Sequence, residues 1–513
     1  MTMGEAKRDG AAGESRQVLE EFLEAFKASG AYLRDRLERA AELATSEDRE
    51  TAKQATGAFF TSLVERLADS FEPEAVSLYN RAFAQLIQRC RASDRSEALA
   101  GELARFGLES EAEIVARAEA LRRKKPPAWP AASSLEVRRV IVLSRVTLGA
   151  DVAITSVIIE RMRRAFPCAE VTLVGGRKAA ELFGGGARLS FKEVSYRRAG
   201  TALERVLSWI DVVGCVRQLT SDLRPGQYLV VDPDSRLTQL GLLPVSCGPA
   251  ASDKTGEQKA WSGKPPEDDY LFFPSREYRG DSSHPLGRLT SDWLDDVLGF
   301  QERVYPQLSL ARDDVEAAGR AIGRIKSGAR PIVSINFGVG DNPLKRVGDD
   351  FETRLVNNLI QDGAAVVLDR GAGEDETRRA NAIIRDAVLA RREGRPASVI
   401  EMSDDGVRAS ADGGPNADLL VWGGRIGMLA ALIGESDLYI GYDSAGQHIA
   451  AALGVPSVDV FAGFSSSRML DRWRPTGKAE ARVVAVNERA AANTHAILSD
   501  VLRHAREMLS GGR

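Results

Sequence analysis

Apolar positions change their spacing along this chain in a way that marks out three regions. From Ser15 to Lys125 they fall at helical intervals, as at Leu19, Phe22, Leu23 and Phe26, in a background rich in Ala, Glu, Arg and Leu. This spacing predicts an α-helical N-terminal region, residues 1–125, in which Pro73 of DSFEPEA marks a first helical turn. The segment RRKKPPAWPAASS, Arg122 to Ser134, then turns basic, Pro-rich and small, as linkers do, and a linker is placed at 126–137.

Beyond the linker, short continuous runs of Val, Ile and Leu alternate with amphipathic segments. RRVIVLS, DVAITSVIIERMRRAF, AEVTLVGG and QYLVVDP form one series. PIVSINFG, a helix from about Phe351 to Gln361, AAVVLDRG, ASVIEMS, DLYIGYDS, SVDVFAG and ARVVAVN form a second. Such runs predict parallel sheets covered on both faces. The expected class is α/β, with two doubly wound Rossmann-like domains, 138–315 and 316–513, facing a cleft that holds the chemistry. Cys247 to Leu289 is dense in Gly, Pro, Ser and charge and reads as a loop insertion, 247–289, in the first of these domains. Either it covers an acceptor through Trp261, Tyr270, Arg276, Tyr278 and His284, or it is a bystander.

Composition narrows the classes. A chain of 513 residues with 43% hydrophobic content is long enough for two or three cores. A net charge of −4 gives no global electrostatic case for nucleic acid. Cys90, Cys168, Cys215 and Cys247 form no C-x-x-C pair, and the four histidines are scattered, so neither a metal centre nor a disulfide framework is expected. Neither a signal peptide nor a transmembrane segment is visible. A cytoplasmic protein is expected, peripheral contact with the inner face of a membrane remaining open.

The richest stretch is SDLYIGYDSAGQHIAAALGVP, Ser436 to Pro456. Leu438 to Gly441 read as a buried strand, Asp443 and Ser444 stand where an N-cap is wanted, and Gly454 with Pro456 closes the helix. The unpartnered N–H groups of Ser444, Ala445 and Gly446, with the helix dipole, would suit a pyrophosphate. His448 lies one helical turn on, donating to phosphate or bracing the loop. In SRVTLGAD, Asp151 begins a helix, where it is either a cap or a general base in the crevice. In INFGVGDNPLKRV, Gly338 and Gly340 permit close backbone approach, and Lys345 and Arg346 follow; Lys345 would neutralise charge on a departing nucleotide, or merely solubilise a loop. The first turn, RVTLGAD, lacks G-x-G-x-x-G, which disfavours a nicotinamide enzyme.

These motifs resemble the lipopolysaccharide heptosyltransferases, glycosyltransferase family 9, over roughly Val140 to Val486. The resemblance implies a GT-B architecture and inverting transfer of a sugar, first of all a heptose from ADP-heptose, to an acceptor hydroxyl. It makes Asp151 the base, with Ala150 interposed after Gly149, and Lys345 the phosphate-contacting lysine. Asp443-Ser444-Ala445-Gly446-Gln447-His448 matches the donor-phosphate loop with its glycine one place late. By the same likeness Gly338, Arg346, Arg425 and Met428 belong to the donor site, and the reaction needs no metal or other cofactor. A carbohydrate, glycolipid or protein would be the acceptor. The N-terminal helices lie outside the resemblance and read as a packing or self-association module. Two alternatives stand beside the transferase: a catalytically silent sugar-nucleotide-binding or scaffold protein, and a GT-B-like UDP-sugar epimerase.

Overall fold

The computed structural model describes residues 3–93, 95–124, 136–186, 188–246, 269–326, 328–340, 342–389, 391–392, 395–409, 417–487 and 493–511. The greater part of the linker and the segment 247–268, with Cys247 and Trp261, lie outside these residues. The front lobe holds a five-stranded parallel sheet, β1 (Arg139–Leu143), β2 (Glu170–Gly175), β3 (Leu189–Glu193), β4 (Tyr228–Asp232) and β5 (Tyr270–Phe272), in the order β3-β2-β1-β4-β5. Among the described residues the rear lobe holds an eight-stranded sheet: β6 (Ile332–Asn336), β7 (Ala365–Asp369), β8 (Val399–Ser403), β9 (Gly406–Ala409), β10 (Leu419–Gly423), β11 (Leu438–Tyr442), β12 (Ser457–Ala462) and β13 (Ala481–Val486). Their order is β9-β8-β10-β7-β6-β11-β12-β13, parallel except for the β8–β9 edge. This is the expected pair of Rossmann-like lobes. The segment read as a loop, 247–289, also contains β5 and the start of the helix Leu286–Leu298.

Side chains alternate between the faces of a strand, and in the front lobe each face has its own covering. Val140, Val142, Val171, Leu173, Leu229 and Val231 share a core with the helix Ser156–Ala165, and this core continues into the rear lobe through Ile332, Val367, Tyr439 and Ile449. Ile141, Leu143, Val174 and Val230 face the helix Ala202–Thr220 and the N-terminal helices instead. The two lobes therefore share apolar surface, and the helical region is part of the front lobe's core.

That region comprises the helices Met3–Ser29, Arg34–Ala44, Arg49–Phe59 with its continuation to Ala68, Pro73–Arg91, Glu97–Arg105 and Glu111–Arg123. Pro73 occupies the first helical turn, where its missing N–H has no intrahelical partner to lose. Phe106 packs on Trp209 at 5.7 Å, the Arg205 guanidinium stands 4.1 Å over the Phe60 ring, and Arg117 donates to the Gly241 carbonyl at 2.9 Å. No helix among the described residues is long and apolar enough to cross a membrane.

Candidate active site

β11 is buried along its length and runs into Asp443 and Ser444, the latter the N-cap of the helix Ala445–Leu453. The front-lobe turn Leu148–Ala150 packs against this helix. Gly149 is so close that a Cβ there would stand 3.1 Å from His448 Cδ2 and 3.4 Å from Ala445 Cα. The first turn of the helix, with its unbonded N–H groups, thus lies at the seam between the lobes. Ser444 Oγ and the Tyr439 hydroxyl, both buried, lie against each other beneath this turn. Tyr439 also explains the late glycine of the loop, because a Cβ at Gly441 or Gly446 would overlap its hydroxyl. Gly446→Ala is therefore expected to cost about 1–3 kcal/mol through overpacking, read as a lowered melting temperature. Adding Tyr439→Phe should return part of the loss, since it removes the nearest obstructing atom.

Strands β6 and β11 are neighbours, so the loops at their carboxyl ends meet. Lys345 ends a short turn whose start is capped by Asn342. It reaches across to Asp443, Nζ donating to Oδ2 at 2.6 Å, while Gln447 Nε2 donates to the other oxygen at 2.9 Å. Burial opposes the charge on Lys345, but the Asp443 carboxylate more than offsets it and raises the lysine's pKa. The ammonium is firmly charged. His448 is the opposite case: burial, with Lys345 nearby, pushes it down to about 4 against the pull of Asp443, so its ring is neutral at physiological pH. On β12, Asp459 lies in register with Gly441 and accepts from Ser457 at 2.7 Å; burial pushes it up to about 8.

Asp151 stands at the front of the facing lobe, in a π turn, Asp151–Thr155, that follows Leu148–Ala150 without a break. A π turn accommodates one extra residue within a helix, and Ala150 is the residue interposed after Gly149. The Asp151 carboxylate is 1% exposed and turned into its own lobe. Ser144 Oγ donates to one oxygen at 2.7 Å; the Arg145 N–H at 2.6 Å and Thr155 Oγ1 at 2.8 Å donate to the other. Burial raises its pKa against these three hydrogen bonds.

Residues 424–498, which include the loop and its helix, match glycosyltransferase family 9 (heptosyltransferase). Over these residues the chain is similar to that family. No curated protein matches this chain. Among solved structures, a family 9 glycosyltransferase from Veillonella parvula is 15% identical, with 73% of this chain and 98% of that one covered at a TM-score of 0.51. The E. coli ADP-heptose lipopolysaccharide heptosyltransferase II is also 15% identical, covering 73% and 99% at a TM-score of 0.48. At this identity the first of these likenesses shows a shared GT-B fold.

Within and around residues 424–498 the expected site residues divide. Asp443, Ser444, Ala445, Gly446, His448 and Lys345 come together at the seam. Arg346 turns away, paired with Glu352 at 2.9 Å and with Asp349. Gly338 donates its N–H to Asn336 Oδ1 at 2.8 Å and lies beside Glu376. Arg425 caps the helix Ile426–Gly434 and bridges Asp314 at 2.9 Å and Asp404 at 3.0 Å, and Met428 is buried in that helix. Of the residues expected to meet an acceptor, Tyr270 donates to Asp232, Arg276 is buried on Asp234, Tyr278 donates to Asp296 and His284 is exposed. One group had no signal in the sequence: Asp69 of the helical region, which shares its surroundings with Lys345, Asp443, Arg145 and Arg236.

Proposed function

We propose that this chain transfers a sugar, a heptose in the first instance, from a nucleotide-diphosphate donor of the ADP-heptose kind to an acceptor hydroxyl with inversion. The observation that carries the reading is the Lys345–Asp443 pair beside the first turn of the helix Ala445–Leu453, at the seam of two Rossmann-like lobes. In the transfer, the acceptor oxygen bonds to the anomeric carbon as the carbon–oxygen bond to the diphosphate breaks. The acceptor proton passes to a carboxylate, and negative charge grows on the leaving ADP. A charged lysine and fixed N–H groups at that place stabilise the transition state more than the ground state, which is what accelerates the reaction. The Ser444 hydroxyl adds a donor, and the protein donors do this work without a metal. The heptosyltransferase description of the matched domain supports the sugar.

The test is ligand-induced stabilisation followed by product analysis. ADP should raise the melting temperature and UDP should not, the stabilisation reaching about 2.7 kcal/mol at a hundredfold excess over Kd. ADP-heptose should then yield ADP. Binding of ADP-heptose without any ADP release marks a silent binding protein, and an isomerised UDP-sugar marks an epimerase.

A further inference from the structure

The helical region sends one turn into the seam between the lobes. The helix that began at Arg49 ends at Ala68, and Asp69 to Glu72 form the turn before Pro73 starts the next helix. Phe71 takes φ 58°, a left-handed backbone that a bulky residue adopts only when its surroundings enforce it. Its ring is 1% exposed and lies edge-on to Trp473 of the rear lobe, centroids 6.0 Å apart. Arg468 of the rear lobe donates to the Phe71 carbonyl at 3.2 Å and pairs with Glu72 at 3.3 Å. The turn is thereby fastened to the lobe that carries the phosphate loop.

Asp69, at the head of this turn, is half-buried, and its carboxylate makes no hydrogen bond or ion pair with any described residue. The charged groups facing it are Arg145 and Arg236 from the front lobe and Lys345 and Asp443 from the rear. Arg236 in turn is faced by Glu65, Tyr79 and Tyr196, and its guanidinium hydrogen-bonds none of the described residues. Three parts of the chain thus meet around one open carboxylate. Asp151 is the contrasting case, sealed and engaged by three donors. A general base needs a lone pair that the acceptor hydroxyl can reach.

On the reading of the chain as a transferase, we propose that Asp69 is the catalytic base, contributed to the interlobe site by the N-terminal helical region. Its carboxylate takes the acceptor proton as the acceptor oxygen bonds to the anomeric carbon, and the electron pair of the broken bond leaves with the diphosphate. Asp69 then releases the proton to water. Asp151 is a positioning residue that fixes the turn Ser144–Ala150 against the phosphate loop. The environment suits the assignment: burial, with Asp443, raises the Asp69 pKa against the cations Arg236, Lys345 and Arg145, and a stronger base takes a proton more readily.

The experiment measures ADP release from ADP-heptose by the full chain, with water as acceptor, across pH. The rate should fall on the acid side as the base protonates. Asp69→Asn should lower the plateau rate by about 10²–10⁴-fold and remove this acid limb, leaving the melting temperature and its shift by ADP unchanged. Asp69→Glu should restore part of the rate together with the limb. An Asp69→Asn chain that keeps native rate and pH profile overturns the assignment, and one that turns over faster identifies the turn as a brake instead. A folded Asp151→Asn chain that alone loses the limb returns the role to Asp151. If the native chain neither binds ADP nor releases it from ADP-heptose, the transferase reading itself fails and the assignment falls with it.

Discussion

Replacing Lys345 by Met should reduce ADP release by about 10²–10³-fold, the loss typical of removing one donor aimed at developing charge. Lys345 bridges two loops, and its ammonium is held charged beside the place where a diphosphate would leave. Its removal also has a structural consequence. Asp443 is 6% exposed and would keep only the Gln447 amide, so a nearly buried carboxylate would lose its counter-charge. Leaving such a group unsatisfied costs about 1–3 kcal/mol. The double variant Lys345→Met, Asp443→Asn separates the two effects, because it removes the lone charge as well as its partner. Stability should return while the rate stays low. If the rate returns with stability, Lys345 serves the fold rather than the leaving group. Coupling between the two sites is expected on either outcome, since they are in direct contact.

How much of this site the sequence disclosed depends on how local each determinant is. β1, β2, β4, β6 and β11 are visible as continuous apolar runs because both of their faces are covered, and such strands need no alternation. β3 reads LSFKE and lies at a sheet edge with none of its residues fully buried, so it carries no comparable signal. β5 is only three residues, YLF, inside a polar stretch, and β10 is a short run just ahead of the glycine pair Gly423-Gly424. The Asp443–His448 loop was legible because strand, cap and helix follow one another within about twenty residues. Its late glycine was visible as a departure, but the reason, the Tyr439 hydroxyl lying against Gly441 and Gly446, is a contact that spacing does not encode. Asp151 shows the same limit. A carboxylate at a helix start is plain in the sequence; the side of the helix to which it turns depends on the π turn after Ala150. Asp69 had no local mark at all, because its significance comes from groups far away in the chain.

Phe71 tests whether the helical region, the front lobe and the rear lobe act as one body. Phe71→Ala should destabilise the chain by about 3–5 kcal/mol, the usual cost of emptying a large aromatic site in a core that cannot collapse around it. Collapse is hindered because the core that Phe71 joins draws on both lobes, with Val152 and Leu286 of the front and Met469 of the rear among its members. Some backbone strain is relieved, since alanine tolerates φ 58° better than a bulky side chain does, but that gain is smaller than the lost burial. Urea denaturation followed by tryptophan fluorescence reports the change. A lower midpoint with an unchanged slope means that the lobes still unfold together, whereas a lower slope or a second transition means that the seam has come apart. Trp473→Ala should be strongly non-additive with Phe71→Ala, because each variant removes the same ring contact. Phe71→Leu, which refills most of the volume, should recover most of the stability. A loss near zero for Phe71→Ala would mean that the turn merely rests on the seam, and nothing would then hold Asp69 in place beside Lys345.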